Sequence, residues 1–518
     1  MLCFIDVRTI VSDLWLWTFE VYCYVQWTTL RVVRWLHLNP YLRFLTYRPL
    51  YHGPWDIHSV VDSIETERIR ATYPIVNGYD DFKTVLDNTK WRHEDRPLLD
   101  KLIYAVRFDA IVSFPPLITS RPQTAVSDGR GLFRFSASMA NPSQSPIISD
   151  DAFILGVTTH LGNKWLQHVG DLYIEDYSVE LSGLNYTSGD PVPNPIVTYS
   201  VSSKTLKMVQ IRVFGNGNGT YFPTDGAAWQ FAKLHVIKSR FIYRTYISHA
   251  VGFHLHSHQI CYASQLFLSQ KHPIRRLLDA FTRYGTKANQ ERLHPTFGPT
   301  GSITRLIGLD LPSTKRLFDR AFKKTPLGSA TGMLSQEQLL FVYPAQTLVL
   351  GLLRLTREFV QCYIDNFYST ETLERDPSVF AFCEYVKQNT FVPYELDVVS
   401  MLTSFICDVI IHSIVHNQEQ QHGAYLYRDK MNTHLMDKPL SSELADQLLH
   451  EPIDPAGQFL AQYITHIVRY NLDEFGFDLY HYVPFPETIR YLDRIRLFTD
   501  GLKTTDYQIQ NCAASIGI

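Results

Sequence analysis

Residues 229–278 read WQFAKLHVIKSRFIYRTYISHAVGFHLHSHQICYASQLFLSQKHPIRRLL, and this stretch decides how the rest of the chain is read. From Trp229 to Gln270 it holds no proline and one glycine, Gly252, so a long, largely buried helix is expected. His249, His254, His256 and His258 fall inside a segment that is otherwise apolar and aromatic. A histidine among apolar groups needs a hydrogen-bond partner or a metal ion. The helix therefore binds an ion or carries the remnant of a site that did.

Composition narrows the classes. The chain has 518 residues, 45% hydrophobic and 19% charged, which is long and apolar enough for a large core. The net charge of −3, with no basic block, argues against nucleic acid as a partner. Seven cysteines, at positions 3, 23, 261, 362, 383, 407 and 512, form no Cys-x-x-Cys motif. Odd in number and widely spaced, they favour reduced thiols in a cytoplasmic protein over a disulfide framework.

Upstream, Leu14 to Leu36 is dense in Trp, Tyr and Leu, with Glu20 inside it and Arg31 and Arg34 near its end. Glu20 and Gln26 interrupt a spanning helix, whereas interfacial aromatics flanked by arginines fit a helix on a membrane surface or in an apolar groove. Residues 1–50 are thus expected to be an aromatic-rich, membrane-interfacial unit giving peripheral membrane association, and 51–518 the main domain. Residues 51–135 mix short helical and turn signals, and Ser136 to Ser149 reads as a loop. Asp150 and Asp151 open a helix with carboxylates in its first turn. Leu172–Leu181, Ile196–Val201 and Met208–Phe214 read as strands, the last two as a hairpin. Gln338–Tyr368 is an apolar helical region broken at Pro344, and Asp397–Gln418 a second long buried helix. The fold class expected is mostly α, long buried helices with a small β subdomain.

That second helix carries His412-Ser-Ile-Val-His416. Residues four apart share a helical face, so both can reach one ion; one buried and one solvated histidine is the bland alternative. The chain ends in the small, apolar Asn511-Cys-Ala-Ala-Ser-Ile-Gly-Ile518. A buried terminal carboxylate needs a cation or several donors, and histidines plus one carboxylate are a non-haem iron ligand set.

These residues resemble the lipoxygenases, non-haem iron dioxygenases of polyunsaturated lipids. The resemblance rests on Trp229, Lys233, His249, His254, His272-Pro273, Leu277-Leu278 and Asn289, on His412 with His416, and on the terminal isoleucine, Ile518. Asp151-Ala152-Phe153 and Asp176-Tyr177 are weaker landmarks. It covers roughly residues 55 to 518, and no N-terminal β-barrel domain of the animal and plant type is expected. It implies a lipoxygenase-like catalytic domain that binds Fe through His249, His412, His416 and the Ile518 carboxylate. The implied reaction adds O2 to a polyunsaturated fatty acid or related polyene chain.

Two departures qualify the implied chemistry. In ungapped register Arg244 stands where a ligand histidine is expected, and a guanidinium has no lone pair to donate and opposes a cation. His254 is the alternative ligand. His249 and His254 are five apart, however, and point ~140° away from each other on an α-helix, so they share an ion only across a local π-turn. Asp279-Ala280-Phe281 also departs from the family pattern. The alternative reading is therefore a lipoxygenase fold put to another use. In one form Arg244 contacts the substrate of an isomerase or cyclase; in the other the chain is a non-catalytic lipid-binding homologue without iron.

Overall fold

The computed structural model describes residues 148–502, less the segments 160, 216–217, 270, 283–296, 298–302, 304–306, 325–340, 342, 390–396, 419–478, 480–482 and 484. The aromatic stretch 14–36, Asn289 and Ile518 lie outside the described residues.

The chain enters through helix α1 (Asp150–Thr159) and a five-stranded antiparallel sheet in the order β1-β2-β3-β4-β5. Its strands are β1 (Gln167–Val169), β2 (Leu172–Asp176), β3 (Ile196–Ser202), β4 (Thr205–Val213) and β5 (Gly219–Tyr221). The expected β3–β4 hairpin is present, closed by a two-residue turn in which Ser203 and Lys204 both have positive φ, 53° and 63°. That doubly left-handed turn matches the right-handed twist of the strands it joins. The strand expected over Leu172–Leu181 ends at Asp176, because Ser178–Leu181 turns into a short helix, α2. Asp176 accepts the Ser178 backbone N–H at 2.7 Å, which starts that turn.

Ala227 to Phe267 is one unbroken helical rod of three parts: α3 (Ala227–Ile242), a π-helix over Tyr243–Leu255 and α4 (His256–Phe267). Among the described residues seven further helices follow, α5 (Pro273–Thr282), α6 (Leu311–Lys324), α7 (Pro344–Asp365), α8 (Thr370–Glu374), α9 (Pro377–Asn389), α10 (Val398–Gln418) and α11 (Pro486–Gly501), of which α5, α6, α9 and α10 pack against the rod. Within the region expected over Gln338–Tyr368, helix α7 begins at Pro344, the position read as a break, since the first helical position needs no N–H; residues 338–340 lie outside the described residues. Helix α6 lies on the π-helix, α9 on α4, and α10 on α7. On the far side of α7, the Phe498 ring of α11 sits against Gly351, where no Cβ intervenes.

One buried polar network ties the sheet to the rod. Arg240, in the last turn of α3, donates to both oxygens of Glu175 on β2, from Nε at 2.6 Å and from Nη2 at 2.8 Å. The hydroxyls of Tyr177 and Tyr199 complete the carboxylate at 2.8 and 2.7 Å. The guanidinium also lies over the Phe153 ring, 4.1 Å from its centroid. Burial pushes the Glu175 carboxyl up, but the Arg240 charge and these hydrogen bonds more than offset it, leaving it below the usual range. The π segment thus begins three residues after a position fixed from outside the helix.

Candidate metal centre

The histidine geometry follows from the backbone. A π-helix bonds i to i+5, so residues five apart come to lie nearly above one another instead of on opposite flanks. His249 and His254 accordingly face each other, with Nε2 to Nε2 at 3.1 Å. His412 arrives from α10 and places its Nε2 2.8 Å from Nδ1 of His249. One ligand atom from each of these three rings lies within 4.8 Å of the other two. His254 and His412 are buried and His249 is half-buried, so the cluster sits inside the molecule with one edge less enclosed.

Three neutral imidazole nitrogens converging in a buried place suit a divalent first-row metal ion. The same rings also satisfy one another without an ion. A neutral His249 can accept at one nitrogen and donate from the other, closing a chain of two hydrogen bonds. The three rings thus converge on one place in the fold. Phe253 holds one side of it, its ring stacked on His412 with centroids 3.5 Å apart and planes 4° from parallel.

His249, His412 and the alternative ligand His254 are brought together. His416 follows one turn after His412 on α10, but its side chain is outside the described residues, as is Ile518. Arg244 is buried one π-turn before His249. The objection to pairing His249 with His254 was α-helical spacing, and the π backbone removes that objection: the pair that meets His412 is His249 with His254. His272 lies elsewhere, hydrogen-bonded to Tyr368 at 3.0 Å and at 3.4 Å from Asp376, where it ties the start of α5 to the α7–α9 corner. Asp279, which departs from the family pattern, is paired with Arg275 at 2.6 Å, while Ala280 and Phe281 are core.

Sequence reasoning missed three residues. Asp408 is buried one turn before His412 on α10, and the i, i+4 spacing to His412 was its signal. Glu175 and Arg240 are 65 residues apart in sequence, and no local pattern joins them.

The lipoxygenase family model matches residues 201–294, the segment from β3 through α5. Among solved structures the chain is similar to the manganese lipoxygenase of Gaeumannomyces graminis, at 13% identity and a TM-score of 0.62, over 89% of this chain and 99% of that one. It is similar to a lipoxygenase from Fusarium graminearum at 12% identity and a TM-score of 0.55, over 83% and 89% of the two chains. For a calcium-dependent 11R-lipoxygenase the values are 16% and 0.56, over 67% of this chain and 58% of that one, so this chain spans little more than half of that relative. No curated protein sequence matches. At such identities the likeness shows the fold.

Proposed function

We propose that this chain, which has the lipoxygenase fold and a lipoxygenase-family segment around its central helix, is a metal-dependent dioxygenase. It adds O2 to a polyunsaturated fatty acid or related polyene chain, giving the hydroperoxide. The convergence of His249, His254 and His412 carries this reading, because three clustered imidazoles are what a non-haem metal needs and what a lipid carrier does not. The Arg244 alternative, an isomerase, cyclase or metal-free binding protein, rested on a missing ligand; the closeness of His254 to His249 and His412 supports the metal reading over it.

His249, His254 and His412 would hold the ion, iron by the family resemblance or manganese as in the Gaeumannomyces relative's name. His416 and the Ile518 carboxylate are proposed to complete the set. Once bound, such a metal supplies the one-electron oxidant that takes a hydrogen from a methylene between two double bonds. The protein's share is enclosure and orientation. Tyr246, Phe297 and Phe318 form an aromatic cluster between the π-helix and its neighbours, with Tyr246 at 5.6 Å from each of the other two rings. These rings are buried, so this side of the π-helix is closed to water. Residues 14–36 are proposed to bring the protein to a lipid surface; among the described residues no helix is long and apolar enough to cross a membrane.

The test joins metal analysis to oxygen uptake. Protein produced with iron or manganese should carry about one ion per chain, consume O2 with a linoleate-like lipid and raise conjugated-diene absorbance. His254→Ala should lose both the ion and the activity. Metal-free protein after reconstitution with either ion, and no O2 uptake across a panel of polyunsaturated acids, would overturn the reading.

A further inference from the structure

Phe253 lies between His249 and His254 in sequence and against His412 in space. Its ring covers the face of His412 at 3.5 Å and 4°, and meets His254 edge-on at 5.4 Å and 77°. Both Phe253 and His412 are 4% exposed. Two neutral aromatic faces are both electron-rich, and such rings prefer an offset or an edge-to-face arrangement. A centroid separation of 3.5 Å between nearly parallel planes leaves almost no offset. The sandwich becomes attractive when the imidazole is electron-poor, because a phenyl face draws a positive partner, and a cation bound to a ring nitrogen makes it so. The same contact restrains the imidazole from turning about its bond to the chain and keeps His412 Nε2 directed at His249, 2.8 Å away.

We propose that Phe253 is a positioning residue of the metal centre: it sets the plane of the His412 imidazole and strengthens cation binding through that ring's face. The proposal rests on the metal reading above and deepens it. Phe253 acts through His412 alone and takes no part in the chemistry.

Titrating the metal-free full-length protein with Co²⁺ and with Mn²⁺ by calorimetry, and recording the visible spectrum of the Co²⁺ form, tests this without any turnover. Phe253→Met keeps the volume and removes the ring; Phe253→Tyr restores a ring. Phe359→Met is the control, since Phe359 stacks on Tyr491 at 4.3 Å in the α7–α11 interface. Phe253→Met should bind Co²⁺ about 10- to 100-fold more weakly, the range usual for losing a group that orients a ligand, with an altered Co²⁺ spectrum. Phe253→Tyr should restore both affinity and spectrum, and Phe359→Met should lower the melting temperature while leaving affinity unchanged. Wild-type affinity and spectrum in Phe253→Met, or an equal loss in Phe359→Met, would overturn the proposal alone. Wild-type protein that takes up neither ion would overturn the metal reading and the proposal together.

Discussion

Arg240→Met should be among the most damaging single substitutions in the described core, and its damage should depend on pH. The guanidinium supplies both close donors to Glu175, at 2.6 and 2.8 Å, and donates from Nη1 to the Phe153 carbonyl at 3.3 Å. Without it a fully enclosed carboxylate keeps only the hydroxyls of Tyr177 and Tyr199. Breaking a buried pair from one side typically costs about 3–5 kcal/mol, because the surviving charge has lost its compensation. Burial, unopposed, then raises the Glu175 carboxyl above its unfolded value. A folded pKa above the unfolded one leaves stability intact at low pH and removes it as pH rises. In the wild type the folded value lies below the unfolded one, so there this group's stabilisation is present above the ordinary carboxylate range and lost on acidification. The wild-type contribution is therefore already complete by pH 5, and it is the variant's loss as pH rises that widens the gap between the two from pH 5 to pH 8. Urea midpoints at the two pH values measure it, with Glu175→Gln/Arg240→Met as the partner experiment. The double variant should recover most of the loss, since neither charge remains. A deficit below about 1 kcal/mol, or one equal at both pH values, would refute the account of a buried, mutually dependent pair.

Two further outcomes are expected. A Cβ placed on Gly351 meets the tip of the Phe498 ring at 1.9 Å, so Gly351→Ala should cost about 1–3 kcal/mol and Phe498→Leu should relieve it; a Gly351→Ala variant with wild-type melting behaviour would contradict this packing. Burial pushes Lys238, over the Tyr186 ring at 4.3 Å, down to about 7. The unfolded lysine holds its proton to about 10.4, so this group's share of stability is full above that value and lost as pH falls toward 7. Lys238→Met should therefore stabilise the protein at pH 6.5 by more than about 1 kcal/mol and far less near pH 9.5, read from urea midpoints. Equal gains at both would remove burial of the charge as the cause.

Helix existence was legible wherever apolar runs were long and uninterrupted, as in Trp229–Gln270 and Asp397–Gln418, and the hairpin followed from alternation over 196–214. The histidines at 249, 254 and 412 were legible as chemistry. Their grouping was legible in part: His249 with His412 was expected, but His254 only as an alternative, because α and π backbones place a five-residue spacing on different faces and no residue type within 243–255 announces the wider turn. Strand and helix were confused at 177–181, where Tyr177 and Leu181 are both fully buried and either period would serve. The Glu175–Arg240 pair is tertiary, and so was beyond any windowed pattern.

The cluster also fixes an order of events. The sheet and the rod lie within about one hundred consecutive residues, so β2, β3 and α3 can meet as soon as that part of the chain has been made. His412 follows His249 by 163 residues, and the loop between them must close before the third imidazole arrives. On the proposed metal reading, an ion that met the nascent chain would find two nitrogens, and only the finished fold would offer three. Loading would then be a closing step of maturation, and a bound ion would act as a latch between α10 and the rod, favouring the folded state by its own binding free energy.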